Sequence, residues 1–488
     1  MIKISDTAKF YLLSLLFIFI NAFFIYKGFY LLELLPLVII VLMLAFLRLD
    51  YFLILTIFFV PVSIPLSELV SDLGVNLSLP AELLLIGALL LFIFKILKGE
   101  YPDKRIMRHP VSVVIYFNLA WILITSFTSS MPLVSFKFFL SRLWFVVTFY
   151  FIASQVFLKR TYFRKYVWAY IIPLLGVIAF ATIRHISIGL FDQQAAHYVM
   201  NPFYNDHTSY GATLAMLIPV IVGFALSRSL PSTERVFALL VLPILIGAIV
   251  LSYSRAAWLS LAVALGVLMA VRLRIKFAAI FVVSTIVGIL LFQNFNKIFF
   301  RLEQNKTVSS ADITQHIESI SNITSDYSNV ERFNRWDCAI RMFKERPFFG
   351  WGPGTYMFQY APFQISYEKT PISTNMGDRG NAHSEYLGPL AESGFFGTLT
   401  FLLIMIFIIY TGLKVYKRMG VRSEKILLIS VLLGLITYFT HGLLNNFLDT
   451  DKASALFWAY IALIVVMDIK NSYDNDKKKL LAGKDEHQ

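Results

Sequence analysis

The sequence has little sulfur and little charge. Cys338 is the single cysteine in 488 residues, which excludes an intramolecular disulfide and a thiolate metal cluster. The 8 histidines are scattered, without a spacing such as H-E-x-x-H, so no metal centre is expected. No segment repeats with a period of roughly 20–50 residues, which excludes a solenoid or propeller. Charged residues make up 15% of the chain against 58% hydrophobic ones, too few for a soluble protein of this length.

What is present instead is a series of apolar runs, each about 17–25 residues long, the length a helix needs to cross a hydrocarbon core. They lack the dyad alternation of barrel strands, which leaves an all-α polytopic membrane protein as the fold class. Polar breaks delimit about fourteen transmembrane helices, at 10–26, 29–47, 50–66, 80–97, 110–127, 138–157, 167–186, 209–226, 236–253, 257–271, 277–293, 396–413, 426–443 and 452–468. The run from Phe10 to Tyr26 is too long for a signal peptide and lacks its small-residue cleavage site, so it is expected to be retained as the first span.

A formal charge of +13 could indicate nucleic acid, but the basic residues fall in short clusters between the apolar runs, the pattern that orients a chain in a membrane. Nucleic acid is therefore not an expected partner. The clusters Lys95–Arg108, Lys159–Lys165, Arg272–Lys276, Lys414–Lys425 and Lys477–Lys479 share one parity. This predicts two cytoplasmic termini. The chain then divides into N-terminal helices (1–200), central helices (201–293), a large extracytoplasmic loop (294–395), C-terminal helices (396–470) and a cytoplasmic tail (471–488). A loop this long is usually functional or disordered. Residues 303–330 are polar and read as a lid or spacer, whereas Phe333, Trp336, Ile340 and Phe343 recur at helical spacing and predict an amphipathic helix ending at Pro347.

Three strings on the outward side combine charge with glycine or aromatic residues: SYSRAAW at 252–258, ERFNRWDCAIRMFKERPFFGWGPGTY at 331–356 and NAHSEYLGPLAESGFFG at 381–397. In this order, the chain resembles the superfamily of O-antigen ligases and Wzy-type polysaccharide polymerases. The resemblance covers residues 200–465, and the first 200 match only in hydropathy. It departs at Ser384, where many members carry Asn.

Within that resemblance, Arg255 and Arg332 match the family's arginines, which implies that they bind pyrophosphate, with Arg335 as a third candidate. A guanidinium can hold two phosphate oxygens in parallel. The alternatives are an interfacial Arg255 that snorkels to lipid headgroups and a solvated helix face for Arg332, Arg335 and Arg341. Arg341 is half a helical turn out of phase with Arg332, so the three cannot converge on one ligand. FGWGPGTY lacks the Lys-Ser/Thr of a nucleotide loop and reads as a turn docking Trp351 and Tyr356 near the membrane surface. Glu392 reads as a structural residue at a helix end.

His383 is the candidate catalytic residue, because an imidazole of ordinary pKa near 6.5 can take the proton that an attacking sugar hydroxyl must lose. Glu385, Tyr386, His441, Asn445 and Asn205, the last in a cluster with Asp206 and His207, are candidate acceptor or sugar contacts. His441 and Asn445, with Asp449 and Asp451 following, could equally mark an interface. The resemblance implies an undecaprenyl-pyrophosphate-linked glycan as donor and membrane lipid as surroundings. It further implies an inverting transfer with no cofactor, in the bacterial cytoplasmic (inner) membrane, with a chain-length regulator as a further partner. A repeat-unit polymerase for O-antigen, teichuronic acid or exopolysaccharide is the leading expectation. Alternatives are a ligase acting on lipid A core or protein, or a glycan flippase. The flippase fits less well, since such transporters have short outward loops and charges inside their spans.

Overall fold

A computed structural model describes residues 5–28, 33–69, 77–100, 102–275, 327–366, 369, 373 and 380–485. It is helical almost throughout, and its strands are the two-residue pieces Ile64–Pro65 and Ser78–Leu79, paired antiparallel. The expected eleventh span, 277–293, and most of the polar segment lie outside the described residues.

The chain forms two units, Met1–Leu55 and Thr56–Gln488. The first contains α1 (Asp6–Tyr26), α2 (Leu35–Leu47) and most of α3 (Leu49–Phe59). The Ser5 side chain caps α1 by accepting from the Ala8 N–H, and Arg48 pairs with Asp50 at 3.1 Å between α2 and α3. Most apolar side chains of α1 and α2 are exposed, as suits lipid contact.

The second unit contains α4 (Ala81–Leu97), α5 (Pro110–Phe127), α6 (Pro132–Phe157), α7 (Thr161–Ile188), α8 (His207–Leu226), α9 (Ser232–Leu251), α10 (Arg255–Arg272), α11 (Tyr327–Glu345), α12 (Leu387–Arg418), α13 (Arg422–His441) and α14 (Asp451–Asp485). Among the described residues, nine helices are long and apolar enough to cross a membrane: α5 to α10, α12, α13 and Asp451–Ser472 of α14. The protein is a multi-pass membrane protein. Among the described residues, the expected fourteen spans are not reached. The third, 50–66, is cut short because α3 ends at Phe59 and Pro61 and Pro65 cannot donate to a continuing helix.

Helix α8 packs against α9, α10 and α13. Close approach depends on small residues, as is usual between membrane helices. A Cβ on Gly211 of α8 would lie 2.7 Å from Ser254 Cβ, and one on Gly434 of α13 would lie 2.7 Å from the Met216 carbonyl oxygen. Span Asp451–Ser472 is the most enclosed, with 94% of its apolar window buried. At one end of this bundle the basic connections are tied together: Arg160 pairs with Glu424, Arg164 with Glu234, and His109 and Lys414 with Asp468. The motif strings lie at the other end.

The amphipathic helix forms as α11, but its buried face differs from the one expected. Glu331, Asn334, Arg335, Cys338, Ala339 and Met342 turn inward, while Ile340 is 36% exposed and Phe333, Trp336 and Phe343 are half-buried. Small residues explain the inversion. Cys338, Ala339 and Met342 let α11 approach Ala391, Ala382, Tyr356 and Tyr360 closely enough to form one apolar cluster. The inward charges are paired, with Arg335 Nε donating to Glu331 Oε1 at 2.7 Å beneath the Tyr360 ring.

Helix α12 begins at Leu387, nine residues before the expected span, and is interrupted at Gly394, whose φ of 68° and ψ of −166° only glycine adopts readily. The glycine-rich turn fills the break. Trp351 N–H donates to the Ala391 carbonyl at 3.1 Å, Gly352 N–H to that of Glu392 at 2.7 Å, and Phe395 N–H to that of Pro347 at 2.9 Å. Backbone groups freed by the break are thus paired inside the protein, the condition for irregular backbone at a membrane boundary. Trp351 and Tyr356 turn into the loop's own core, contrary to the expected docking at the membrane surface.

Candidate active site

The site end of the bundle has two walls. The loop wall consists of α11 and residues 380–386. Trp336 Nε1 donates to the His383 carbonyl at 3.4 Å, and the His383 N–H donates to Asn381 Oδ1 at 3.0 Å. This holds His383 at φ 47°. Of the three non-glycine residues with positive φ among the described ones, Tyr253, Arg274 and His383, two lie within the first and third motif strings. Such positions cluster at functional sites.

His383 is half-buried. Its imidazole is pulled down to about 3, first by burial and then by the cationic Arg332 and Arg335, with Asp206 opposing. It is therefore neutral at physiological pH. Arg332 also acts electrostatically on His207 and His441, and so does Asp206. Five residues scattered between positions 206 and 441 thus share one electrostatic neighbourhood.

The helix-end wall is assembled from caps. Asp206 Oδ1 accepts from the Thr208 and Ser209 N–H groups at 2.8 and 2.7 Å, starting α8. His207 Nδ1 lies 2.8 Å from the Ser252 carbonyl oxygen, and the His197 ring stands 4.1 Å from that of His207. The SYSRAAW turn is therefore fixed to the head of α8, with Arg255 half-buried in the first turn of α10.

The remaining candidates divide. Glu385 is a structural clamp: its Oε1 accepts from Tyr438 Oη at 2.5 Å, from Phe447 N–H at 2.8 Å and from Leu448 N–H at 2.9 Å. Tyr386 donates to the Phe439 carbonyl at 2.8 Å, away from the cluster. Arg335 is held by Glu331 and contributes its charge to His383 from within the loop core. Arg341 donates to the Phe363 carbonyl at 2.7 Å, outside the cluster as its phase requires. Glu392 accepts from the Tyr356 N–H at 2.9 Å, in keeping with a structural role. His441 is 1% exposed, with Nε2 3.2 Å from Asn445 Nδ2 and no hydrogen-bond partner on Nδ1 among the described residues.

Between α4, α8 and α14 lies a cavity of about 290 Å³ lined by Asn205, Asp206, Asn381 and Asp449, among others. Its floor is a buried pair, with Lys452 Nζ 3.3 Å from Asp451 Oδ1 and 3.1 Å from Ser63 Oγ. Asp449 opens onto the cavity. Surrounding protein pushes its carboxyl up to about 6, with Glu385 adding to the shift and Arg142 opposing it. Reading the sequence missed Glu82, Lys452, Asn446 and Arg142. Arg142 carried a usable signal, since a charge inside an apolar run is by default a functional candidate.

Residues 238–402 match the family described as O-antigen ligase. The matched segment contains Arg255, Arg332, Arg335 and His383, and it stops short of His207 on one side and His441 on the other. The chain is also 23% identical over 252 residues to an uncharacterized protein of Haemophilus influenzae, a stretch covering 51% of this chain and 60% of that protein's length.

Proposed function

We propose that the protein is a membrane glycosyltransferase that polymerises lipid-pyrophosphate-linked oligosaccharide repeat units into a cell-surface polysaccharide. The observation that carries this reading is the convergence of Arg332, His383, Asp206, His207 and His441 at one end of the bundle. Cations beside a neutral imidazole suit a reaction in which a pyrophosphate departs while a hydroxyl loses a proton.

In this mechanism the acceptor oxygen bonds to the anomeric carbon as the bond from that carbon to the phosphate oxygen breaks. Attack from the opposite face inverts the configuration. Arg332 and Arg255 neutralise the undecaprenyl pyrophosphate as it leaves, and the hydroxyl proton passes to His383. The donor prepares its own base. Pyrophosphate beside Arg332 cancels the charge that helps hold His383 down, raising the imidazole toward its ordinary range. The site faces away from the cytoplasm of a bacterial inner membrane, with both termini inside, and a chain-length regulator would act on the finished polymer.

The test uses purified protein in a bilayer with an undecaprenyl-pyrophosphate repeat unit as sole substrate. Wild type should yield a ladder of products. His383→Ala should cut transfer by about 10²–10⁴-fold, and His383→Gln separates acceptor orientation, which it retains, from proton transfer, which it loses. Transfer by His383→Ala at the wild-type rate would refute the assignment. A product that forms only with lipid A core or protein as acceptor would make the enzyme a ligase. Cells that lack the protein and trap repeat units inside would identify a flippase.

A further inference from the structure

The cavity between α4, α8 and α14 has an unusual charge for a protein of net +13. Its lining holds four carboxylates, on Glu82, Asp206, Asp449 and Asp451, against one cation, Lys452. Lys452 and Asp451 are 7% and 2% exposed and largely satisfy each other and Ser63. Within the lining the net charge is therefore carried by Glu82, Asp206 and Asp449, with Arg332 acting in the neighbourhood of Asp206 and Arg142 on Asp449 from outside it.

These groups have hydrogen-bonding capacity left. Glu82 Oε2 accepts from the Ser78 N–H at 3.0 Å, and among the described residues none donates to its Oε1. Asp206 uses Oδ1 for the α8 cap and leaves Oδ2 open. Among the described residues no other donates a hydrogen bond to Asp449, which is exposed, and the Asn446 Oδ1 atom is buried without a partner. The half-buried Phe203 supplies aromatic surface in the same lining, together with the buried rings of Tyr204 and Phe447. Asp206 also joins the cavity to the catalytic cluster, being the strongest charge acting on His441, which lies outside the lining and is 1% exposed. Arg142 also acts on Asp449, but it is outside the lining and its Nη1 donates to the Leu448 carbonyl at 3.0 Å.

Open acceptors beside aromatic surface suit the hydroxyls and apolar faces of a sugar. The excess of carboxylates over cations in the lining repels a sugar acid and attracts an ammonium group. We infer that this cavity is the acceptor-sugar subsite and that it selects uncharged or amino sugars against uronic acids. The inference rests on the proposed glycan transfer and names the class of acceptor. The cationic wall takes the anionic carrier of the donor, and the acidic cavity keeps anionic sugars out of the acceptor position.

The test measures binding separately from turnover. Full-length protein in nanodiscs is titrated with tetrasaccharides of glucose, glucosamine and galacturonic acid at low salt and about pH 7, where most carboxylates are ionised and a share of the sugar amines is still protonated. Glucosamine should bind most tightly and galacturonate least, with at least about a tenfold spread in Kd. The double variant Glu82→Gln, Asp449→Asn should shrink the spread to below about threefold. Asp449→Asn alone, at a carboxylate with no donor to lose, should shrink it in part and keeps the test open if the pair does not fold. Galacturonate binding as tightly as glucosamine, an unchanged ranking in the variants, or no binding of any tetrasaccharide at about 10 mM, a very weak interaction, would each overturn the inference. Transfer by Arg332→Ala is assayed in parallel. If that variant stays active while the ranking holds, the proposed chemistry fails and the subsite stands; if it is inactive while the ranking fails, only the subsite falls.

Discussion

The loop wall and the helix-end wall are held by different means. The loop wall is stabilised by its own core, with Cys338, Ala339, Met342 and Tyr356 packed beneath the turn that fills the break in α12. The helix-end wall has no such core. Its polar groups are caps and first-turn residues, placed where α8, α10 and α14 begin. A wall with its own core can keep a charged side chain at its edge while its backbone stays fixed. A wall of helix ends inherits its positions from the bundle, so its charges tolerate substitution only where they do no capping.

The contrast is sharpest between Arg332 and Arg335, three residues apart on α11. Arg332 acts on three histidines from both walls, whereas Arg335 belongs to the loop core. Arg332→Ala should lower transfer by at least about 100-fold, the scale of losing one charge-stabilising group, while thermal stability stays near wild type. Arg332→Lys should restore little, because an ammonium lacks the two-pronged geometry. Arg335→Ala removes the charged partner of the buried Glu331 carboxylate, which keeps the Ser373 hydroxyl as a donor, and should destabilise the protein by about 3 kcal/mol. Thermal unfolding in detergent distinguishes the two. Equal melting points for both variants would remove the distinction between a charge at the edge of the loop wall and one within its core.

The loop wall was largely legible in the sequence because its motifs are local. Arg332, Trp336, the glycine turn and His383 stand at spacings that read directly as a helix, a turn and a span entry. The face of α11 was misread because apolar periodicity marked Phe333, Trp336 and Ile340, while close packing favoured smaller residues. The helix-end wall was legible only in parts, such as Asn205, Asp206 and His441. Glu82 and Lys452 are far apart in the chain, and each looked like an ordinary charge at the edge of an apolar run. Only the pairing of Ser63 with Asp451 and Lys452 brings the segment before α4 onto the head of α14.

A smaller effect tests the join between the loop core and α12. Gly394→Ala places a side chain at φ 68° and drives its Cβ into the Phe348 carbonyl, which cannot rotate away as a side chain would. The backbone conformation alone should cost about 1–3 kcal/mol. Because the loop wall carries Arg332, donor binding should weaken before acceptor binding does. A variant with wild-type donor affinity and melting point would mean that the turn is not what positions the wall. Smaller still is Tyr438→Phe, which removes one of three donors to Glu385 Oε1 and should cost about 1–2 kcal/mol, with both backbone donors retained. Loss of transfer without loss of stability would give Glu385 a part in the chemistry beyond its clamp.

The smallest expected effect is the absence of an inflection. In the free enzyme His383 is held at about 3, below its ordinary 6.5, so between about pH 5 and 8 it binds no proton. Because kcat/KM reports ionisations of the free enzyme, its profile over that range should show no limb that His383→Gln removes. The kcat profile can show one, since bound pyrophosphate opposes Arg332 and lets the imidazole rise. Stability gives the opposite check on sign. A histidine depressed by folding contributes nothing above about pH 6.5, where it is neutral in both states. Below that, the unfolded chain takes up the proton and the folded one does not, so stability falls as pH drops toward about 3. His383→Gln should therefore flatten the acid side of a melting-temperature profile and leave the neutral side unchanged. An acid limb in kcat/KM near pH 6.5 that disappears in His383→Gln would place the imidazole in water, outside the field of Arg332, and the two walls would then not act on a common centre.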